Sequence, residues 1–155
     1  MPQSKKFTKR ELIAYIIDLS EQKLKLAQAH RQDTHESVLS EDKGSAGDKH
    51  ETGRAMAQIE LDKAGNVVVE QEKVLAIFKR LQEISSQSNQ IALGSLIELN
   101  DFYIFLSSGL GLITFRNTQI YVVGPHAPLG QQILGKKIDD SILLNGISHK
   151  IICLS

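Results

Sequence analysis

Apolar residues recur at three- and four-residue steps early in the chain: Leu12, Ile13, Ile16, Ile17, Leu19, Leu24, Leu26 and Ala27. That spacing lines one stripe of a helix, and the segment from Thr8 to Ser40 contains no Gly or Pro to interrupt it. Thr8 with Glu11 forms a capping box, in which the hydroxyl and the carboxylate each take up a free N–H of the first turn. After Ala29 the stripe turns polar, through His30, Arg31, Asp33, His35 and Glu36. A second segment, Lys49 to Ile84, repeats the pattern with Met56, Ile59, Val67, Val74, Ile77, Phe78, Leu81 and Ile84. Its weak point is Gly65 ahead of Val67-Val68-Val69, since Gly costs about 1 kcal/mol inside a helix. The period resumes from Glu70, so the expectation is one continuous helix. At 1.5 Å per residue each arm is roughly 45–50 Å long. The two are expected to pair as an antiparallel hairpin, zipped at the apolar end away from its tip.

The polar run Ser85 to Gln90 reads as a linker, and the pattern then changes period. Leu96 to Leu99, Phe102 to Leu106, Leu110 to Phe115 and Gln119 to Val123 read as short strands. Asn145-Gly146 is a hairpin turn, expected to join a strand over Ser141–Leu144 to one over Ser148–Leu154. Between these regions Pro128 to Leu134 reads as one short helix, with Pro in its first turn and Gly135 as its cap. The expected class is α+β: a helical-hairpin domain over residues 1–86 with its tip near 40–53, then a small antiparallel sheet with one helix over residues 91–155.

Composition narrows the function. The chain of 155 residues has 18 basic and 18 acidic side chains, which argues against a strong non-specific grip on nucleic acid. A single Cys excludes an internal disulfide and fits a reducing compartment. No apolar run is long enough to span a bilayer, and the expected location is the cytoplasm, with no membrane partner. Trp is absent and aromatics are few, leaving little material for stacking single-stranded bases.

Few residues offer chemistry. Gly130 to Lys137 approaches a phosphate-binding loop, but Lys137 stands where Ser or Thr would ligate Mg²⁺. His30, His35 and His50 lack the convergent partners of a zinc site. Cys153 lies among Ile151, Ile152 and Leu154, where a thiol stays protonated. The tip differs: Glu41, Asp42, Asp48 and Glu51 put four carboxylates within eleven residues. These are hard oxygen ligands suited to Mg²⁺, which takes only one or two carboxylates from any one protein. Equally, they are the charges of a solvated loop beside Lys43, Lys49 and Arg54, with Asp48 capping the second helix.

The hairpin with an acidic tip, followed by Ala127-Pro128-Leu129-Gly130-Gln131-Gln132-Ile133-Leu134-Gly135-Lys136-Lys137-Ile138-Asp139-Asp140 and a final strand, resembles the bacterial Gre transcript cleavage factors. Ser45 to Arg54 is similar to a short Gre-like branch, some members of which carry the label 3-oxoacyl-ACP synthase. That activity needs a far larger thiolase-type fold than this chain can form. The resemblance implies an FKBP-like C-terminal domain that docks on RNA polymerase through Pro128, Leu129, Gly130, Gly135 and Lys136. It implies a hairpin in the secondary channel, meeting the nascent RNA 3′ end only indirectly. Tip carboxylates, here Glu41, Asp42, Asp48 and Glu51, would help hold the polymerase's Mg²⁺ while backtracked RNA is hydrolysed. The factor would then hold no metal alone, have no cofactor of its own, be no enzyme by itself, and act as a monomer. The Gre tip pair is Asp-x-x-Glu. With Lys43 aligned that pair falls on Glu41 and Gly44, whereas Asp48 and Glu51 have the spacing at a later position. Alternatives are a non-cleaving channel binder, a peptidyl-prolyl isomerase using rings such as Phe102, Tyr103 and Tyr121, and a coiled-coil module that assembles as a homodimer.

Overall fold

The computed structural model describes residues 6–42, 48–84 and 88–155; side chains at 41, 42 and 48–51 lie outside the description. Among the described residues two long helices, α1 (Lys9–Asp42) and α2 (Asp48–Glu83), precede seven strands and a short helix. The strands are β1 (Leu96–Glu98), β2 (Tyr103–Leu106), β3 (Gly111–Phe115), β4 (Thr118–Val123), β5 (Ser141–Leu144), β6 (Ile147–Lys150) and β7 (Cys153–Leu154), with α3 (Pro128–Ile133) between β4 and β5. The class is α+β, as the change of period at the polar linker indicates. The chain divides into two compact units, Met1–Ile16 with Ile77–Ser155, and Ile17–Ala76.

In the unit Ile17–Ala76, Ser20, Ala27 and Val38 on α1 and Ala64 and Val68 on α2 are buried. α2 runs unbroken through Gly65. A Cβ there would meet only Arg31 Nε, at 3.8 Å, so the helix carries the entropic penalty of Gly without steric need for it. Burial of Ala64 and Val68 on either side holds the turn in place.

In the other unit the capping box forms as the sequence indicates. Thr8 Oγ1 accepts from the Glu11 N–H at 3.1 Å, and Glu11 Oε2 accepts from the Thr8 N–H at 2.9 Å. A five-stranded sheet has the order β3-β4-β2-β1-β7, and β5 and β6 form a separate hairpin. β2 is apolar throughout and has both faces covered. Ile104 and Leu106 join Ile91, Ile97, Phe102, Ile133, Ile142 and Ile151 in one cluster. On the opposite face Phe105 packs on Phe78 of α2, with centroids 6.3 Å apart, and Tyr103 packs on Phe7 at 5.1 Å.

Two expectations about the strands are corrected. The sheet is mixed, because β2 and β4 run parallel, pairing Tyr103 with Ile120 through Leu106 with Val123. β3 supplies the return path, crossing back so that β4 inserts beside β2. The single strand expected over Ser148–Leu154 is two strands. At Ile151, which is fully buried, the chain leaves the hairpin: its N–H donates to the Asp140 carbonyl, and the Ile152 N–H to the Glu98 carbonyl. β7 then pairs with β1 in the other sheet. Asn145 (φ 52°) and Gly146 (φ 78°) form the expected primed turn. A second such turn, at Arg116 (φ 49°) and Asn117 (φ 62°), joins β3 to β4. Arg116 is held in that rare conformation by Glu11 at 3.0 Å, by the Lys6 carbonyl at 3.3 Å and by the ring of Phe115.

Candidate functional site

At the tip, α1 ends at Asp42 and α2 starts at Asp48, so the backbone of the sequence-derived residues falls in the last turn of one helix and the first of the other. Their positions in the helices follow from this: Glu41 and Asp42 on α1, Asp48 and Glu51 on α2. All four side chains lie outside the described residues, as does the whole of 43–47. Carboxylates suit a helix N-terminus through its dipole, which favours Asp48 and Glu51; the same dipole disfavours Glu41 and Asp42 at a C-terminus. Among the described residues no group of three or more His, Cys, Asp or Glu is arranged to hold a metal ion.

The C-terminal motif is built around α3. Ala127 is extended (φ −67°, ψ 152°) and Pro128 takes the first helical positions, where its missing N–H costs nothing. Gly130 is buried, and a Cβ on it would overlap the Gly124 carbonyl oxygen and press on Pro125 Cα at 3.1 Å. This glycine is therefore a packing requirement. Leu129 packs against the core cluster. Gly135 adopts φ +84° to end the helix. Its N–H donates to the Ile91 carbonyl at 2.8 Å, and the Lys136 carbonyl accepts from the Ile91 N–H at 2.8 Å. Asp140 Oδ2 then accepts from the Lys137 N–H at 2.8 Å, closing a tight turn. Glycine thus terminates a helix here, the reverse of a phosphate-binding loop. Of the five motif residues, Pro128 is exposed and Lys136 half-buried, while Leu129 and Gly130 support the fold.

Gln132 links α3 to β5 with both ends of its amide. Its Nε2 donates to the Leu143 carbonyl at 3.1 Å and its Oε1 accepts from the Leu143 N–H. This side chain imitates a neighbouring strand along the edge of β5. The arrangement leaves Leu134, Ile138, Leu143 and Ile147 about half exposed or more (52%, 49%, 58% and 60%). The sequence signal for these residues was only an apolar residue beside a turn, which does not distinguish an exposed side chain from a packed one.

Among the described residues, two of the clefts are lined mainly by polar residues. One, of about 360 Å³, is lined by Lys6, Glu98, Asp101, Tyr103, Asn117 and Gln119. Glu98 is buried and lies opposite both Tyr103 and Cys153 in the sheet register. Burial pushes the Tyr103 hydroxyl above the usual tyrosine range, and the charge of Glu98, Cys153 and a hydrogen bond with Glu98 push the same way. The other cleft, of about 690 Å³, lies in the unit Ile17–Ala76 and is lined by Gln28, Arg31, Gln32, His35, Asp62 and Asn66 among others. Its α1 side chains are exposed, so it is an open polar groove. Among the described residues no helix is long and apolar enough to cross a membrane.

No protein-family model matches this chain, and no curated protein matches it.

Proposed function

We propose that the chain is a Gre-type factor that binds RNA polymerase and carries its acidic tip toward the polymerase's Mg²⁺. The observation that carries this reading is the joining of two helices, of 34 and 36 residues, across a connection of only five, with Glu41, Asp42, Asp48 and Glu51 at the joined ends. Helices of that length reach about 50 Å, long enough to present a tip well inside another molecule. A small sheet unit bearing the Pro128 helix supports the same reading.

In this proposal the factor supplies carboxylate ligands and the polymerase supplies the catalytic site. The Mg²⁺ activates water for hydrolysis of backtracked RNA. One or two tip carboxylates suffice for the factor's share, since Mg²⁺ keeps most of its waters. Asp48 and Glu51 have the Asp-x-x-Glu spacing and are the pair assigned this role. Docking is assigned to the C-terminal motif, with Pro128 and Lys136 reaching the partner directly and Leu143 and Ile147 adding apolar contact beside them. The factor holds no metal by itself and works as an accessory.

The test is transcript cleavage on stalled elongation complexes, wild type against a variant with Glu41, Asp42, Asp48 and Glu51 changed to Ala. Stimulated cleavage that disappears in the variant is expected. Retained binding to polymerase without stimulation by the wild type would give the non-cleaving channel binder instead. Absence of both binding and cleavage would remove the proposal.

A further inference from the structure

α2 carries two apolar stripes. The first, through Ala57, Leu61, Ala64, Val68 and Leu75, has heptad spacing and is buried or half-buried. The second lies roughly a quarter turn around the helix. It comprises Met56, Ile59, Val67 and Val74, and the first three are 63%, 53% and 49% exposed. Lys63 and Glu70 fill the remaining positions of this stripe, and both are exposed.

The order of residues along the second stripe is self-complementary. Lys63 and Glu70 lie equally far on either side of the point between Asn66 and Val67, and so do Ile59 and Val74. A two-fold axis through that point, perpendicular to α2, sets Lys63 against Glu70 of a second copy and Glu70 against its Lys63. It also sets Ile59 against Val74 twice, with Val67 beside the axis. Asp62 and Lys73 flank the stripe on one side, and in an antiparallel pair like flanks meet, giving a second opposite-charge contact. A parallel pair would instead place Lys63 on Lys63 and Glu70 on Glu70. We propose that this face of α2 is an antiparallel homodimer interface, with Lys63 and Glu70 fixing its register.

Existing contacts do not compete. Lys63 pairs with Glu60 at 3.5 Å and Lys73 with Glu70 at 3.1 Å, all four side chains more than half exposed. Such pairs on one exposed helix face contribute little and exchange readily. A closed two-fold contact of this kind uses the same patch on both copies. The dimer covers the flank of α2 between Ile59 and Val74, so it is a form whose arm is not free to enter a partner. This inference is independent of the function proposed above, and it departs from the monomer that the family resemblance implies.

The experiment is sedimentation of the full chain over a concentration series, with circular dichroism to follow helix content. The wild type is expected to reach dimer mass. Lys63→Glu alone and Glu70→Lys alone are each expected to weaken association roughly tenfold or more, because like charges then face across the contact. An equimolar mixture of the two, and the double variant Lys63→Glu/Glu70→Lys, are expected to recover it. A wild type that stays monomeric at every concentration overturns the proposal, as does a dimer indifferent to both single reversals. Failure of the mixture to associate, with helix content intact, overturns it too.

Discussion

Tyr103 and Glu98 face each other across β1 and β2. Burial and the neighbouring carboxylate raise the Tyr103 pKa, so the folded state keeps the phenol proton longer than the unfolded chain does. Its contribution to stability is complete below the ordinary tyrosine value of about 10 and is lost as pH rises through the higher folded value. Tyr103→Phe is expected to flatten this alkaline fall in urea-denaturation stability. At neutral pH the variant should cost little, at most about 0.5 kcal/mol, because water competes for a partly exposed hydroxyl. An unchanged alkaline profile would show that another group carries the effect. Neither partner was legible as a pair in the sequence, since Glu98 reads as an ordinary polar residue in a strand and its burial comes from β7 arriving alongside. Gly130 was legible only as part of a motif. What requires glycine there is the Gly124 carbonyl, a neighbour that no local pattern reveals.

Among the elements, the two long helices were readable because three- and four-residue periodicity persists over many turns and the capping box marks one start. Continuity through Gly65 followed from the period resuming beyond it. The same position gives a clean test of helix propensity: Gly65→Ala should stabilise the chain by about 0.5–1 kcal/mol, read as a higher denaturation midpoint. The added methyl has 3.8 Å of clearance to Arg31 Nε, so a fall in stability would mean that the helices pack more closely there than this distance implies. Strand pairing was less readable. Parallel pairing of β2 with β4 depends on where β3 places the chain after its turn, and short apolar runs look alike in either direction. The departure at Ile151 was hidden for a similar reason. Alternating residues continue through it, while the physical event is burial of one side chain in a core shared with distant segments. The tip carboxylates were readable as composition, and their placement on helix ends follows from the observed bounds of α1 and α2.

At the scale of the whole molecule, the sheet unit includes both helix ends that sequence periodicity assigns to the hairpin. Phe7 packs between Tyr103 and Phe115, Tyr15 stacks on Phe115 at 4.6 Å, and Phe78 covers Phe105. Lys9 Nζ also donates to the Gly94 carbonyl at 3.2 Å. A fragment of residues 91–155 should therefore expose one face of β2 and unfold without a cooperative transition. A chain joining residues 1–16 to 77–155 through a short linker should melt cooperatively. Cooperative melting of the smaller fragment would show that the helix ends are dispensable to the sheet. The same arrangement sets an order of events during synthesis. Residues 17–76 close on partners near in sequence and can pair soon after leaving the ribosome. Phe7 and Tyr15, made earlier still, have no aromatic neighbours until β2 and β3 emerge. Leu96 exchanges two hydrogen bonds with Ser155, at 2.9 and 3.0 Å, so one edge of the sheet waits for residue 155. Phe7 and Tyr15 thus gain these ring partners only once Tyr103 and Phe115 are in place, and a chain stalled before β2 would leave both rings without them.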